Sequence, residues 1–282
     1  MKNQISYPSQ GRVSYWLQGE DFQNYGDYLS EYFLDKLFTK TNHSTNTIHI
    51  IGSVISDYWI NTGGEKIIFW GCGMRDQISL NEQLLKKCEF LSVRGPLSRL
   101  ALGLDKKIPC GDPALLLPML HNTKKIDSFT GKRILIPHFF DCRENDELLA
   151  LSGCDIVLRA KIPNSVASIE LFINQLTSAE FVLAGALHGA ITAVTYGTPF
   201  GYWDSGQIDI PFKWKDFSES VGIQCVFHRR IESAESFYKL NIEGQLKIPP
   251  LLPLLNTAPF PIQPNILNRV ILSEICSGGI SS

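Results

Sequence analysis

The stretch FVLAGALHGAITAVTYGTPFGYW, Phe181 to Trp203, reads as strand, tight turn, helix and strand. Phe181–Ala184 is a short apolar run ended by Gly185. A helix then runs from about Leu187 to Tyr196, with Gly197 at the usual glycine stop and Pro199 just beyond. In an alternating α/β chain such a turn faces the ligand crevice at the carboxyl ends of the strands. His188 stands there, in the first helical turn. Gly189 and Ala190 beside it leave room for a ligand against the backbone. A helix start offers free N–H groups and positive potential, which suits an anion. A buried histidine satisfying a neighbouring backbone group would show the same spacing, and the spacing alone does not choose.

Working outward, the second half continues the alternation. Arg133–Pro137 (RILIP) and Asp155–Leu158 read as strands, Glu144–Ala150 and Ser165–Thr177 as helices. Ile169, Phe172, Ile173 and Leu176 give the last of these an apolar stripe. Phe212–Ser220 is weakly helical and Gly222–Phe227 is a final strand candidate. Lys247–Pro264 carries six prolines and is expected to lack regular structure. Asn265–Cys276 has the apolar spacing of a helix that folds back onto the first half.

The first half gives strand candidates at Arg12–Leu17, Ile48–Ile51, Lys66–Trp70 and Phe90–Val93. Helices are expected over Tyr28–Phe38 after an Asp27 cap, at Ser56–Ile60, over Asn81–Lys87, and from Pro96 to Leu102. The polar run His121–Gly131 reads as a linker. The pattern implies an α/β protein with two Rossmann-like domains facing across a cleft. These are residues 1–120 and 132–264, with a C-terminal helix in 265–282.

With 282 residues, 44% of them hydrophobic and a formal net charge of −2, the chain has room for two ordinary domains and no basic footprint for nucleic acid. No stretch reaches the length of a membrane span, and the N-terminus lacks the apolar core of a signal peptide. Seven scattered cysteines form no CxxC or metal spacing, which points to reduced thiols in the cytoplasm.

Polar groups at strand ends are the candidate site residues. They are Asn24, Gly26 and Asp27 after the first strand, Arg75 after the third, Arg94 after the fourth, and His138 and His188 in the second half. Asp27 reads most simply as a helix cap, and Arg75 equally well as a solvated loop arginine. Arg94, between an apolar strand and a Pro-started helix, suits a carboxylate or phosphate, or else a structural salt bridge. Gly71-Cys72-Gly73 lacks the rest of a dinucleotide fingerprint, and nothing near Cys72 activates it as a nucleophile. No P-loop, HExxH, GxSxG or metal-ligand cluster is present.

Taken together, NYGDYLS (Asn24–Ser30), FWGCGMR (Phe69–Arg75), LSVRGPLS (Leu91–Ser98), CGDPALLLP (Cys110–Pro118), IPHF (Ile136–Phe139) and ALHGAITAVTYGTP (Ala186–Pro199) resemble the polysaccharide pyruvyltransferase family, in order and spacing. The LHGAI form is similar to bacterial exopolysaccharide ketal-pyruvyltransferases of the succinoglycan and xanthan kind. The resemblance implies a fold like that of the GT-B glycosyltransferases. It implies transfer of pyruvate from phosphoenolpyruvate (PEP), a co-substrate, to two hydroxyls of one sugar; no step of that reaction demands a metal and no ligand cluster stands in the sequence, so neither a metal nor a cofactor is expected. By position, His188 is the implied catalytic histidine and Arg94 the arginine facing PEP, with Arg75 and Gly189 on the same donor. Asn24, Asp27 and His138 are the expected acceptor-side residues. Where many members have Arg-Leu-His, this chain has Ala186-Leu187-His188, which leaves open whether Arg75, Arg159 or another cation replaces the missing arginine, or whether the donor sits differently. The implied partners are PEP and a sugar acceptor in a glycan precursor, built on a lipid carrier or as an oligosaccharide at the inner membrane face. Contact with that membrane would be peripheral, through Ile248–Leu255 if at all; a packed connector is the better reading of that segment. A nucleotide-sugar glycosyltransferase of the same fold and a non-catalytic saccharide-binding protein are the alternatives, and PEP dependence separates them.

Overall fold

A computed structural model describes residues 4–5, 13–39, 46–77 and 80–276. In chain order the strands are β1 (Gln4–Ile5), β2 (Trp16–Leu17), β3 (Phe22–Asn24), β4 (Thr47–His49), β5 (Ile67–Phe69), β6 (Cys88–Phe90), β7 (Arg133–Ile136), β8 (Ile156–Val157), β9 (Lys161–Pro163), β10 (Phe181–Ala184), β11 (Phe200–Trp203) and β12 (Phe227–His228). The helices are α1 (Tyr25–Lys36), α2 (Asp57–Thr62), α3 (Glu82–Leu85), α4 (Pro96–Ala101), α5 (Leu117–Leu120), α6 (Asn145–Ser152), α7 (Val166–Ser178), α8 (Leu187–Tyr196), α9 (Pro211–Ser220), α10 (Ile231–Asn241), α11 (Leu252–Asn256) and α12 (Pro264–Cys276).

Two parallel sheets organise the chain. The first runs β4-β5-β6, and single parallel bridges such as Val13 to Ile48 and Val93 to Cys110 extend it. The second runs β12-β11-β10-β7-β8, with Val182 between Ile134 and Phe200. Its strands are apolar on both faces because helices cover both. Leu135, Phe181 and Leu183 pack with Leu148 of α6 and Ile231 and Ala234 of α10. The alternate residues Ile134, Ile136, Val182 and Ala184 belong to the main core with Phe172 of α7 and Ala190 of α8. Gly201 of β11 is glycine because a Cβ there would lie 2.8 Å from that of Ala234.

The two halves are stitched together. β3 pairs antiparallel with β9, Gln23 opposite Ile162, and Tyr25 N–H donates to Ala160 O at 2.8 Å. Tyr25 is 1% exposed, stacks on Phe172 with ring centroids 4.0 Å apart, and shares a 2.8 Å hydrogen bond with Thr192 of α8. An aromatic pair of this kind adds about 1 kcal/mol beyond its area burial. α1 of the first half is therefore fixed against α7 and α8 of the second.

Several expectations are corrected. α1 begins at Tyr25, and its cap is Asn24, whose side chain accepts the Gly26 N–H at 3.1 Å; Asp27 sits inside the first turn instead. The loop before it contains β3, and α10 went unrecognised because only Ile231 and Ala234 of its residues are buried. The proline-rich segment contains α11, with Pro253 in its first turn where the missing N–H costs nothing. Leu251, Leu254 and Leu255 are buried, and the Leu254 carbonyl accepts from Trp70 Nε1 at 2.9 Å. That segment is a packed connector. Arg269 of α12 donates to the carbonyls of Met119 (2.6 Å) and Pro118 (3.1 Å), at the end of the first half.

Candidate functional site

At the carboxyl ends of β7 and β10 lies a cavity of about 370 Å³. β10 ends at Ala184, Gly185 turns the chain, and α8 begins with Ala186 as its cap. Alanine has no capping oxygen, so the first N–H groups of α8 have no side-chain partner. Ala186, Leu187, His188 and Gly189 all line the cavity. Gly189 packs on Ile136, where an added Cβ would lie 3.0 Å from its Cδ1.

His188 is held from two sides. Its Nε2 points away from solvent toward Asp112 Oδ2, 3.6 Å off. Across the ring lies Gly26 of α1; a Cβ there would stand 2.2 Å from His188 Nδ1. Gly26 is therefore the space into which the imidazole fits.

The expected residues divide into two groups. Asn24, Gly26, Asp27, Arg75, His138, His188 and Gly189 all line the cavity. Arg94 does not. It is fully buried, and its guanidinium lies beneath the turn after β4, donating to Ser53 Oγ at 2.9 and 3.0 Å and to Gly52 O at 3.2 Å. Gly73 makes the room, since a Cβ there would be 2.0 Å from Arg94 Nη2. Gly52 and Ser53 line the cavity, so Arg94 braces its wall from behind. The expected anion site at the start of α4 is already filled: Asp216 of α9 accepts from Ser98 N–H at 2.9 Å and Ser98 Oγ–H at 2.6 Å. Arg159, the other candidate for the missing cation, instead donates to the carbonyls of Asp141 (2.7 Å) and Arg143 (2.6 Å).

Three residues of the site were not foreseen, two in the cavity wall and one buried behind it. Lys213 of α9 and Asp209 before it form an ion pair one helical turn apart, and His138 Nε2 approaches the same Asp209 oxygen at 3.3 Å. Their signal, an acidic residue four before a lysine across a Pro-started helix, was present in IDIPFKWK. Between them Ile210 has φ +51°, a left-handed conformation that costs a β-branched residue about 1–3 kcal/mol. The third is Asp112, hidden in a motif where it reads as the cap of the following helix. That cap is real, with Ala114 N–H donating to Oδ1 at 2.9 Å, but it uses only one oxygen.

The cavity's charges are unequal in kind. Burial pulls the Lys213 ammonium below its ordinary range, and Asp209 counters this only in part. Burial works to raise Asp209, but the His138 hydrogen bond and Lys213 outweigh it, leaving the carboxyl well below its usual range. Asp27 is the opposite case: burial pushes its carboxyl up to about 6, and His188, Lys213, His138 and Arg75 only partly counter it. The wall thus holds Arg75, Lys213 and two imidazoles, with one carboxylate neutralised by its partners and another that protonates readily. As Asp27 takes up a proton below about 6, the wall gains a positive charge that suits an anion. At the mouth Trp16, Phe139 and the 59% exposed Phe140 present apolar ring faces.

Cys72 is fully buried, and burial raises its thiol far above the ordinary range, which makes it a poor nucleophile. Among the described residues no group of three His, Cys, Asp or Glu side chains is placed to hold a metal ion, and no helix is long and apolar enough to cross a membrane.

Over 147 residues, 49% of its length, the chain is 28% identical to the succinoglycan biosynthesis protein ExoV of Rhizobium meliloti (strain 1021), and the match spans 42% of that relative. No solved structure matches. The model of the family described as polysaccharide pyruvyl transferase matches residues 24–202, from the cap of α1 through the cavity-lining start of α8 into β11. The chain belongs to the polysaccharide pyruvyl transferase family.

Proposed function

We infer that the protein transfers pyruvate from PEP to two hydroxyls of a sugar in a bacterial exopolysaccharide precursor, as a cyclic ketal. The observation that carries this reading is His188 at the uncapped start of α8, in a cavity walled by Arg75 and Lys213. PEP brings a carboxylate and a phosphate, which need cations and free N–H groups together. Lys213 supplies the positive charge that Ala186 does not, and Arg94 acts indirectly by bracing Ser53.

The steps balance around one histidine. His188, protonated, gives its proton to the PEP methylene carbon, and C2 becomes electrophilic. A sugar hydroxyl adds to C2 and its proton passes to the histidine. The C2–O bond to phosphate breaks, the electron pair leaving with phosphate. The second hydroxyl closes the ring on C2, and its proton leaves with phosphate as inorganic phosphate. Trp16, Phe139 and Phe140 offer flat faces for the sugar's C–H face, with Asn24, Asp27 and His138 as polar contacts on the same side. The two sheets and the cleft between them are read as a GT-B-like pair, residues 1–120 and 132–264, with 265–282 returning to the first. Synthesis of lipid-linked glycan precursors would place the protein in the cytoplasm.

The test is phosphate release from PEP across a panel of pyranosides, wild type beside His188→Ala. Release with one acceptor, lowered about 1000-fold in the variant, is expected from the loss of an acid–base group. Equal release by both proteins would overturn the role of His188. A PEP-independent protein that binds a nucleotide sugar would point to a glycosyltransferase instead.

A further inference from the structure

Three buried polar atoms lie together behind the cavity with no hydrogen-bond partner: His188 Nε2, Asp112 Oδ2 and Arg94 Nε. Asp112 Oδ2 is 3.6 Å from the first and 3.8 Å from the second. Asp112 and Arg94 are fully buried. At these separations they interact as charges and dipoles without a hydrogen bond among them, and burying them costs least when each donor faces an acceptor. Arg94 has a permanent N–H at Nε, and Asp112 can only accept in its ionised form. The remaining acceptor capacity of Oδ2 then faces Nε2, which must carry its hydrogen for the contact to be favourable.

The other edge of the ring has the complementary surroundings. Among the described residues Nδ1 has no hydrogen-bond partner; it packs against Gly26, in the room that a missing Cβ leaves, and both residues line the cavity. A neutral imidazole with hydrogen on Nε2 has its lone pair on Nδ1.

We propose that Asp112, with Arg94 as its counter-charge, is a positioning residue that fixes His188 as the Nε2–H tautomer, so that Nδ1 is the nitrogen exchanging protons with substrate. The proton-transfer role of Nδ1 rests on the function proposed above; the tautomer does not. When the sugar hydroxyl adds to C2, its O–H bond breaks and the proton moves to Nδ1. The imidazolium so formed keeps its Nε2–H toward Asp112, whose charge stabilises it. The other charged and titratable groups around the ring, Asp27, Arg75, His138 and Lys213, line the cavity, so Asp112 and Arg94 are the pair on the Nε2 side.

The test is long-range proton–nitrogen correlation NMR on protein carrying labelled histidine, with the His188 signals identified by their absence in His188→Gln. The chain has six histidines, so the assignment is tractable. The wild type is expected to show Nε2 protonated and Nδ1 bare at a pH where the ring is neutral. In Asp112→Asn this preference should be lost, and turnover should fall about 10- to 100-fold at little-changed KM for PEP. A wild-type ring with hydrogen on Nδ1, or an even mixture, overturns the proposal, and needs no variant to fold. An unchanged tautomer in Asp112→Asn overturns it as well. The spectrum requires neither PEP nor acceptor. The expected tautomer in a protein inert toward PEP would therefore refute the proposed function while leaving the device standing.

Discussion

The chain builds strand, turn and helix twice with similar local means, at β6 into α4 and at β10 into α8, and the two starts end up with opposite fates. Neither cap residue, Gly95 or Ala186, offers a side-chain oxygen. At α4 the oxygen comes from 118 residues away, as Asp216, and Gly95 lacks a Cβ because one would lie 2.2 Å from the Asp216 carbonyl. Its neighbour Arg94 turns inward, between Asp112 and the Gly52-Ser53 turn. At α8 nothing arrives, and the start of the helix lines a cavity. A helix start is an anion site only where tertiary structure leaves it empty, and no local reading of LSVRGPLS and LAGALHGA distinguishes the two.

The comparison breaks most visibly at its filled member. Asp216→Ala leaves the buried Ser98 N–H and Oγ–H without their acceptor, and should cost about 3 kcal/mol in urea unfolding. A cost below about 0.5 kcal/mol would mean that the two starts do not differ as described.

Asp27 sharpens it next, through pH. Its folded carboxyl, at about 6, holds a proton that the unfolded chain, at about 3.8, has already lost. Between those values the native state binds more protons, so stability falls as pH rises toward 6 and stays lower above it. Asp27→Asn should therefore gain about 2 kcal/mol at pH 8, allowing for partial solvent access, and nothing below pH 3.5. Melting curves at the two pH values check this, and an equal shift at both would refute it.

The smallest effects lie in the wall. Lys213→Ala and Arg75→Ala should each weaken PEP binding about tenfold, or ~1.4 kcal/mol, while leaving the melting temperature within a few degrees. If only Lys213→Ala unfolds the protein, its pair with Asp209 is structural and the donor charge rests on Arg75.

What was legible followed locality. β10, α8 and the Gly197 stop, with φ +70°, carry their signals within a few residues, and the expected bounds match the structure. The apolar stripe of α7 and its Ser165 cap were equally plain. β3 was not, because its partner β9 lies about 140 residues away and no turn joins them. The cavity-lining positions of Asn24, Arg75, His138 and His188 follow from strand ends alone. The direction of a long side chain does not, and Arg94 shows this: Gly73 opens the space it occupies, so a glycine that resembled part of a nucleotide loop is there for an arginine. Asp112 escaped because one oxygen satisfied the obvious role of cap. Lys213 escaped because its place in the wall depends on how α9 packs against α4.

The central claim, that the open start of α8 is the donor site, is tested most directly by calorimetric titration of PEP into wild type and Ala186→Asp. The substituted carboxylate would cap α8 as Asp216 caps α4, and should raise stability by about 1 kcal/mol. The account predicts measurable binding by wild type and none by the equally folded variant. Equal affinity in the two proteins would contradict it.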